Sequence, residues 1–223
     1  MPKDWSKASL AKAIEHSLLK AFATEAQVRE HCAEAKKFGF AAVCVNPVWV
    51  ALCARELASS GIRVCAVVGY PLGASVSEIK AAEAKLAVAQ GAQEIDAVIN
   101  IGAAKAGDWR LVEEDLRAVV KASGEATVRA VLETCYLTDN EKAKACEAAL
   151  RAGNRCVMTS TGFGTGGATV EDVKLMKRVV GDKIQVKASG GIRTHHDAIL
   201  MLDAGADRIG ASAGIAIVSE LPE

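Results

Sequence analysis

The chain is organised around the stretch RCVMTSTGFGTGG, residues 155–167. It begins with a short apolar run, Cys156 to Met158, continues through three hydroxyl-bearing residues, and ends in a series of glycines. A helix is predicted to start near Thr169. A buried strand that opens into a glycine-rich loop and then a helix is a common way to build a small-molecule site. The stretch therefore predicts a strand–helix unit with a binding loop at the carboxyl end of its strand.

The same strand–loop–helix order repeats on both sides of this unit. The predicted strands are eight apolar runs at about 14–19, 40–45, 63–68, 94–99, 127–133, 156–158, 183–187 and 207–210. Strict alternation of strands and helices predicts an α/β protein with a parallel sheet. Eight such units close most naturally into one TIM (β/α)8 barrel over residues 1–223, with a short N-terminal helix. The alternative, an open doubly wound sheet, calls for a GxGxxG-type motif after the first strand, where the sequence has none.

Composition narrows the classes of function. The 27 Lys and Arg residues balance 27 Asp and Glu residues, so there is no electrostatic case for nucleic acid or an anionic membrane as partner. No apolar run reaches the roughly 18 residues that would span a bilayer. The seven cysteines are odd in number and contain no CxxC pair. They are interpreted as reduced core thiols of a cytoplasmic protein, with no zinc site expected.

Two ionisable residues interrupt apolar strands near the end where a TIM barrel has its active site. Asp96 lies in the fourth strand and Lys187 in the seventh. They could form a purely structural ion pair. A catalytic role is favoured, because a buried pair is costly and ionisable groups at a barrel mouth often do chemistry. A desolvated lysine can serve as an amine nucleophile, and a carboxylate beside it can shuttle protons.

Glycine loops follow the last three strands. Backbone N–H groups in 189–191 and 210–212 can surround an anion without interference from side chains, although such glycines are also common in simple turns. His16 is expected to be a packed structural histidine and Cys44 a core thiol. The further candidates for substrate or phosphate binding at the strand ends are Glu15, Ser17, Thr159, Thr161, Gly162, Gly190, Gly191, Gly210 and Ser212.

Several segments between Ile14 and Gly214 resemble the deoxyribose-phosphate aldolase family: IEHSLLK, VCVNP, GYPLG, EIDAVINIGA, LETCYLTD, TSTGFGTGGAT, VKASGGIRT and RIGASAG. The resemblance implies a TIM barrel and a class I (Schiff-base) carbon–carbon lyase without metal or other cofactor. The implied reaction is reversible cleavage of 2-deoxy-D-ribose 5-phosphate to acetaldehyde and D-glyceraldehyde 3-phosphate. It also implies that Asp96 relays protons, that Lys187 perturbs the Schiff-base lysine, and that Gly190, Gly191, Gly210 and Ser212 hold the phosphate.

The sequence departs from the family pattern at four positions. Met158 stands where the family has its Schiff-base lysine, and a thioether cannot form an iminium. Glu15 replaces Asp, Ser17 replaces Thr, and Ala213 replaces a serine that often binds phosphate. An engineered variant and a natural paralogue both account for this pattern.

Three hypotheses follow. The first is an aldolase-type protein without its amine, inactive yet able to bind a sugar phosphate or aldehyde. The second is an active enzyme whose amine chemistry has moved to Lys187. The third is a non-catalytic barrel that binds a sugar phosphate or a protein partner. A homodimer is possible under each of them.

Overall fold

The computed structural model of the protein describes residues 5–221. Eight parallel strands close into a barrel in chain order, with the last strand beside the first. This confirms the predicted TIM barrel. The strands are β1 (Ile14–Leu18), β2 (Ala42–Val45), β3 (Arg63–Val68), β4 (Glu94–Val98), β5 (Thr127–Val131), β6 (Cys156–Met158), β7 (Gln185–Ser189) and β8 (Arg208–Ala211).

Helices surround the barrel. They are α1 (Lys7–Ala11), α2 (Glu25–Phe38), α3 (Val50–Glu56), α4 (Ser77–Ala89), α5 (Ile101–Ala106), α6 (Trp109–Ala122), α7 (Asp139–Ala152), α8 (Val170–Val180), α9 (His195–Asp203) and α10 (Gly214–Ser219). The short helices α5 and α10 were not predicted, because six residues give little periodic signal. Short 3-10 turns occupy Pro47–Trp49 and Thr134–Tyr136.

Local sequence signals explain where several helices start and stop. Thr138 caps α7 and forms a capping box with Glu141, which satisfies backbone N–H groups at the helix start. Thr169 caps α8 by accepting a hydrogen bond from the N–H of Asp172. Helix α2 ends at Gly39, whose φ of 71° is in the left-handed region that favours glycine. These caps place the loops between strands and helices at defined points.

The first strand shows how the two faces of the barrel wall differ. Successive side chains of a strand point to opposite faces, so Glu15 points into the barrel, where it contacts Lys187, and His16 points outward. The His16 ring stacks on His31 with 3.8 Å between ring centroids, and its Nε2 lies 3.0 Å from Glu34 Oε2. His16 therefore lies between the strand and α2, away from the barrel mouth.

The apolar core lies mainly between the strands and the helices. Outward-facing residues of the strands, such as Val43, Ile95, Ala130 and Val186, are fully buried there. The barrel interior, by contrast, holds buried charged side chains. No helix in residues 5–221 is both long and apolar enough to cross a membrane.

Candidate active site

A cavity of about 280 Å³ opens at the carboxyl ends of the strands. Its buried floor includes Asp96, Met158 and Lys187, and its rim is formed by the glycine loops after β6, β7 and β8. The structure thus brings together ten of the twelve candidate residues from the sequence: Ser17, Asp96, Met158, Thr161, Gly162, Lys187, Gly190, Gly191, Gly210 and Ser212. Cys44 also lines the cavity.

The two other candidates, Glu15 and Thr159, lie behind the cavity wall. Both are fully buried. Glu15 contacts Lys187, with 2.5 Å between Oε2 and Nζ. The Thr159 hydroxyl donates to the Ser189 carbonyl at 2.9 Å and accepts from the Ser189 N–H at 3.0 Å. Glu15 therefore supports the lysine, and Thr159 ties β6 to β7.

Lys187 is held between two carboxylates. Its Nζ lies 2.6 Å from Asp96 Oδ2 and 2.5 Å from Glu15 Oε2. Burial favours the neutral amine, but the charges of Asp96 and Glu15 outweigh burial and hold the pKa of Lys187 well above its ordinary value. The amine is therefore protonated at neutral pH and is a poor nucleophile.

Arg129 completes this buried network and was not singled out from the sequence. Its Nη1 lies 3.0 Å from Asp96 Oδ1, and its Nη2 contacts Glu94 and lies 2.8 Å from Glu15 Oε1. The available signal was a charged residue inside the apolar strand TVRAV, the same anomaly that marked Asp96 and Lys187. Burial would raise the pKa of Asp96, but the charges of Lys187 and Arg129 prevail and lower it to about 2.

Met158 belongs to an apolar cluster on the same floor. It packs with Val98 and Val131, and Tyr70 and Ile101 contact this cluster. Met158 lies on β6 directly opposite Lys187 on β7 in the strand register. The side chain at 158 therefore faces the cavity beside the buried lysine, and its thioether offers no amine for an iminium.

The glycine loops fit tightly against each other and against Lys187. A Cβ on Gly167 would lie 2.3 Å from the Gly190 carbonyl oxygen, and a Cβ on Gly210 would lie 2.9 Å from Lys187 Cε. Gly190 has a φ of 91°, a conformation that side-chain-bearing residues rarely adopt. Glycine at these positions gives the rim its close packing and leaves room for the lysine.

Tyr70 and Glu133 hold the loop after β6 in place. The Tyr70 hydroxyl donates to the Thr161 carbonyl at 2.6 Å. The Glu133 carboxylate accepts from the Thr161 N–H at 3.2 Å and also from the Thr161 hydroxyl. Glu133 itself has a φ of 54°, a strained value for a residue with a side chain. The cavity wall at Thr161 is therefore held from two sides, by the segments that follow β3 and β5.

The cavity floor also contains groups of the kind that bind metals. Cys44, Cys65 and Asp96 offer ligand atoms within 4.8 Å of one another. Asp96, however, is already paired with Lys187 and Arg129, and burial holds the pKa of the Cys65 thiol well above its ordinary value. A metal ion would meet two buried cations and a thiol that resists deprotonation. The cluster therefore does not suit a metal ion.

Comparison with known proteins gives a consistent result. The sequence profile described as DeoC/LacD family aldolase matches residues 11–220. The chain is 55% identical to deoxyribose-phosphate aldolase of Streptococcus suis over 210 residues, which cover 94% of this chain and 96% of that protein. It is 54% identical to deoxyribose-phosphate aldolase of Carboxydothermus hydrogenoformans over 220 residues, covering 97% and 96%.

A solved structure agrees with these relatives. The tetrameric deoxyribose phosphate aldolase of Aeropyrum pernix superimposes with a TM-score of 0.91 at 32% identity, covering 96% of this chain and 92% of that one. Profile, relatives and fold thus agree over nearly the whole length. The chain belongs to the DeoC/LacD family of aldolases.

Proposed function

We propose that the cavity is an aldol-cleavage site that binds 2-deoxy-D-ribose 5-phosphate and lacks only its Schiff-base amine. One observation carries the proposal: the Asp96–Lys187 ion pair, at 2.6 Å, forms part of the floor of a cavity rimmed by three glycine loops. The names of the relatives support the same substrate. The protein would then bind the sugar phosphate without cleaving it.

Each part of the cavity has a proposed role. Backbone N–H groups around Gly190–Gly191 and Gly210–Ser212 bind the phosphate, because they line an open rim with little side-chain bulk. Asp96 is ionised and can accept a proton directly or through water. Lys187 supplies a fixed positive charge beside position 158. Glu15 and Arg129 hold these two groups in place without reaching the ligand.

The alternative of a relocated amine at Lys187 is disfavoured by the charges around that residue. Nucleophilic attack requires the neutral amine, whereas two carboxylates within 2.6 Å stabilise the ammonium form. The second candidate is a barrel that senses a sugar phosphate and in which the Asp96–Lys187 pair has no aldolase-type role. The intact Asp96–Lys187 pair favours the aldolase-type site over it, because binding a phosphate would not require that pair.

Ligand-dependent unfolding tests the proposal on the native protein. Deoxyribose 5-phosphate held at 100 times its dissociation constant should add about 2.7 kcal/mol to the free energy of unfolding. Ser212→Asp places a carboxylate on the rim and should abolish the effect, while Ser219→Asp, an exposed change on α10, should leave it intact. A native protein that gains no stability from millimolar deoxyribose 5-phosphate would contradict the proposal.

We also propose a homodimer. Three large apolar side chains in and before the first turn of α4 are solvent-exposed: Leu72 (71%), Val76 (62%) and Ile79 (58%). Several large apolar side chains left exposed in one short segment favour a protein interface. Light scattering should give the mass of two chains, and Val76→Lys with Ile79→Lys should give the mass of one. A monomeric native protein at micromolar concentration would reject the dimer.

We propose that the protein works in the cytoplasm. All seven cysteines are free thiols, and most of them are buried in the core. Such usage is typical of a reducing compartment. Thiol titration of the denatured, non-reduced protein isolated from its source should detect every cysteine. A disulfide in that material would argue against this location.

A further inference from the structure

A second cavity, here called the basal cavity, lies at the opposite end of the barrel. Its volume is about 450 Å³. Four cations line it: Lys12 before β1, Lys36 on α2, Arg63 at the start of β3 and Arg208 at the start of β8. No acidic residue from the described part of the chain lines it. Four residues with positively charged side chains therefore line one cavity.

Three of these cations lack a carboxylate partner among residues 5–221. Lys36 Nζ donates to the backbone carbonyl of Glu56 at 3.2 Å, and Arg208 Nη1 donates to the backbone carbonyl of Lys12 at 3.2 Å. Carbonyl oxygens orient these side chains without neutralising their charge. Lys12 is exposed and forms no ion pair within the same residues.

Arg63 has a carboxylate partner, and its guanidinium also has N–H donors that this contact does not use. Its Nη1 lies 2.9 Å from Glu94 Oε1, while the other Glu94 oxygen contacts Arg129. Glu94 is therefore shared by two guanidinium groups. The Arg63 side chain is 51% exposed, and a guanidinium has five N–H donors. Arg63 can bind an anion with its free edge without leaving Glu94 unpaired.

Helix dipoles account for only part of this cluster. Lys36 lies in the last turn of α2, where a cation is favoured by the helix C-terminus. Arg63 and Arg208 begin strands, so no helix terminus explains them. Like charges around one cavity repel one another. A multivalent anion would remove that repulsion and would accept charge-assisted hydrogen bonds from several side chains at once.

We propose that the basal cavity is a binding site for a diphosphate group, held by Lys12, Lys36, Arg63 and Arg208. The site is separate from the cavity at the carboxyl ends of the strands and does not depend on the function proposed for that cavity. The diphosphate could be free pyrophosphate or part of a nucleoside diphosphate. Both sources present the same compact, multiply charged group.

Calorimetric titration with pyrophosphate tests the site on the full-length protein. The double variant Lys12→Gln/Lys36→Gln should bind pyrophosphate more weakly by roughly tenfold or more, because two charge-assisted contacts are lost. Lys121→Gln/Lys174→Gln removes two exposed lysines outside the basal cavity and should leave the affinity unchanged. Equal weakening by both pairs would indicate only general electrostatics and would overturn the proposal.

Hydrogen exchange locates the bound anion. Pyrophosphate should protect peptides covering residues 36–41 and 60–63. Protection confined to 188–193 and 210–214 would place the anion in the other cavity and would overturn the proposal, as would no binding at millimolar pyrophosphate. Adenosine diphosphate distinguishes the sources. Binding tighter than that of pyrophosphate supports a nucleoside diphosphate, and equal or weaker binding supports the free anion.

Discussion

The side chains at and beneath the floor of the active-site cavity form an ionic half and an apolar half. In the ionic half, Lys187 and Arg129 are paired with Asp96 and Glu15. In the apolar half, Met158 packs with Val98 and Val131. The ionic network forms without any contribution from position 158. The two positions therefore suit different amine states: Lys187 is stabilised as an ammonium, whereas a lysine at 158 would face apolar neighbours and a nearby cation.

The largest expected effect comes from placing an amine in the apolar half. Met158→Lys should raise cleavage of deoxyribose 5-phosphate by several orders of magnitude, because burial and the charge of Lys187 both lower the pKa of a lysine there. Formation of glyceraldehyde 3-phosphate in a coupled assay measures this. Met158→Gln, similar in length but without an amine, should remain inactive. A folded, inactive lysine variant would show that an amine at position 158 is not sufficient and would point to Glu15 as the defect.

The next effect comes from removing a cation from the ionic half. Arg129→Met leaves Glu15, Glu94 and Asp96 short of positive charge and should lower the free energy of unfolding by about 3–5 kcal/mol. Met158→Leu, a matched change in the apolar half, should cost less than about 1.5 kcal/mol. Urea denaturation gives both values. Similar losses for the two variants would show that the halves are not energetically distinct.

Acid should destabilise the protein in two separate ranges of pH. Burial lowers the pKa of His16 and His31 from 6.5 to about 4, so the unfolded chain takes up protons first and stability falls as the pH drops from about 6.5 to 4. In the ionic half, burial would raise the pKa of Asp96, but the charges of Lys187 and Arg129 outweigh burial and lower that pKa from 3.8 to about 2. Its contribution is therefore present above about pH 4 and is lost between about pH 4 and 2.

The two ranges can be separated by substitution. Each unit by which a pKa is lowered corresponds to about 1.4 kcal/mol, so the fall of both histidine pKa values from 6.5 to about 4 should together cost about 7 kcal/mol on full acidification. Urea unfolding at about pH 7, 5 and 3 measures the curve. His31→Gln should reduce the loss of stability between about pH 6.5 and 4 and should leave the loss between about pH 4 and 2 unchanged. If the free energy of unfolding of that variant still falls by the same amount between about pH 6.5 and 4, the histidines are not the cause of that loss.

The smallest expected signal is a labelling experiment on the native protein. Acetaldehyde and borohydride should give little specific labelling, because Lys187 is protonated between its two carboxylates. Mass spectrometry of peptides identifies the labelled residues, and modification of exposed lysines serves as the internal reference. Strong labelling at Lys187 would show that its amine reacts as a nucleophile despite the two carboxylates, and would support a relocated amine.

Most of the fold could be predicted from the sequence because alternation of apolar strands with capped helices is a local pattern. The helix predicted to start near Thr169 is α8, which Thr169 caps. Helix α5 was not predicted, because its signal is a single Asn100 cap followed by six residues. Strand β7 begins two residues later than predicted, at Gln185, since strand ends depend on partners that the local sequence does not contain.

The charged site residues could be predicted from the sequence because they interrupt apolar strands. Asp96 and Lys187 stood out for that reason, and Arg129 carries the same signal. The period of two along β6 indicates that Thr159 faces away from the cavity if Met158 faces into it, an inference that could have been drawn from the sequence. The basal cavity had no local signal, because its four cations come from distant segments.

The charged interior of the barrel has a consequence for heating. Three buried carboxylates and two buried cations occupy the space that apolar side chains usually fill in such barrels. The hydration of ions becomes less favourable as temperature rises, so the penalty for burying them falls, whereas stabilisation by apolar burial levels off. The centre of the barrel is therefore the part of the molecule that gains relative stability when warmed, and the helical layer around it should loosen first.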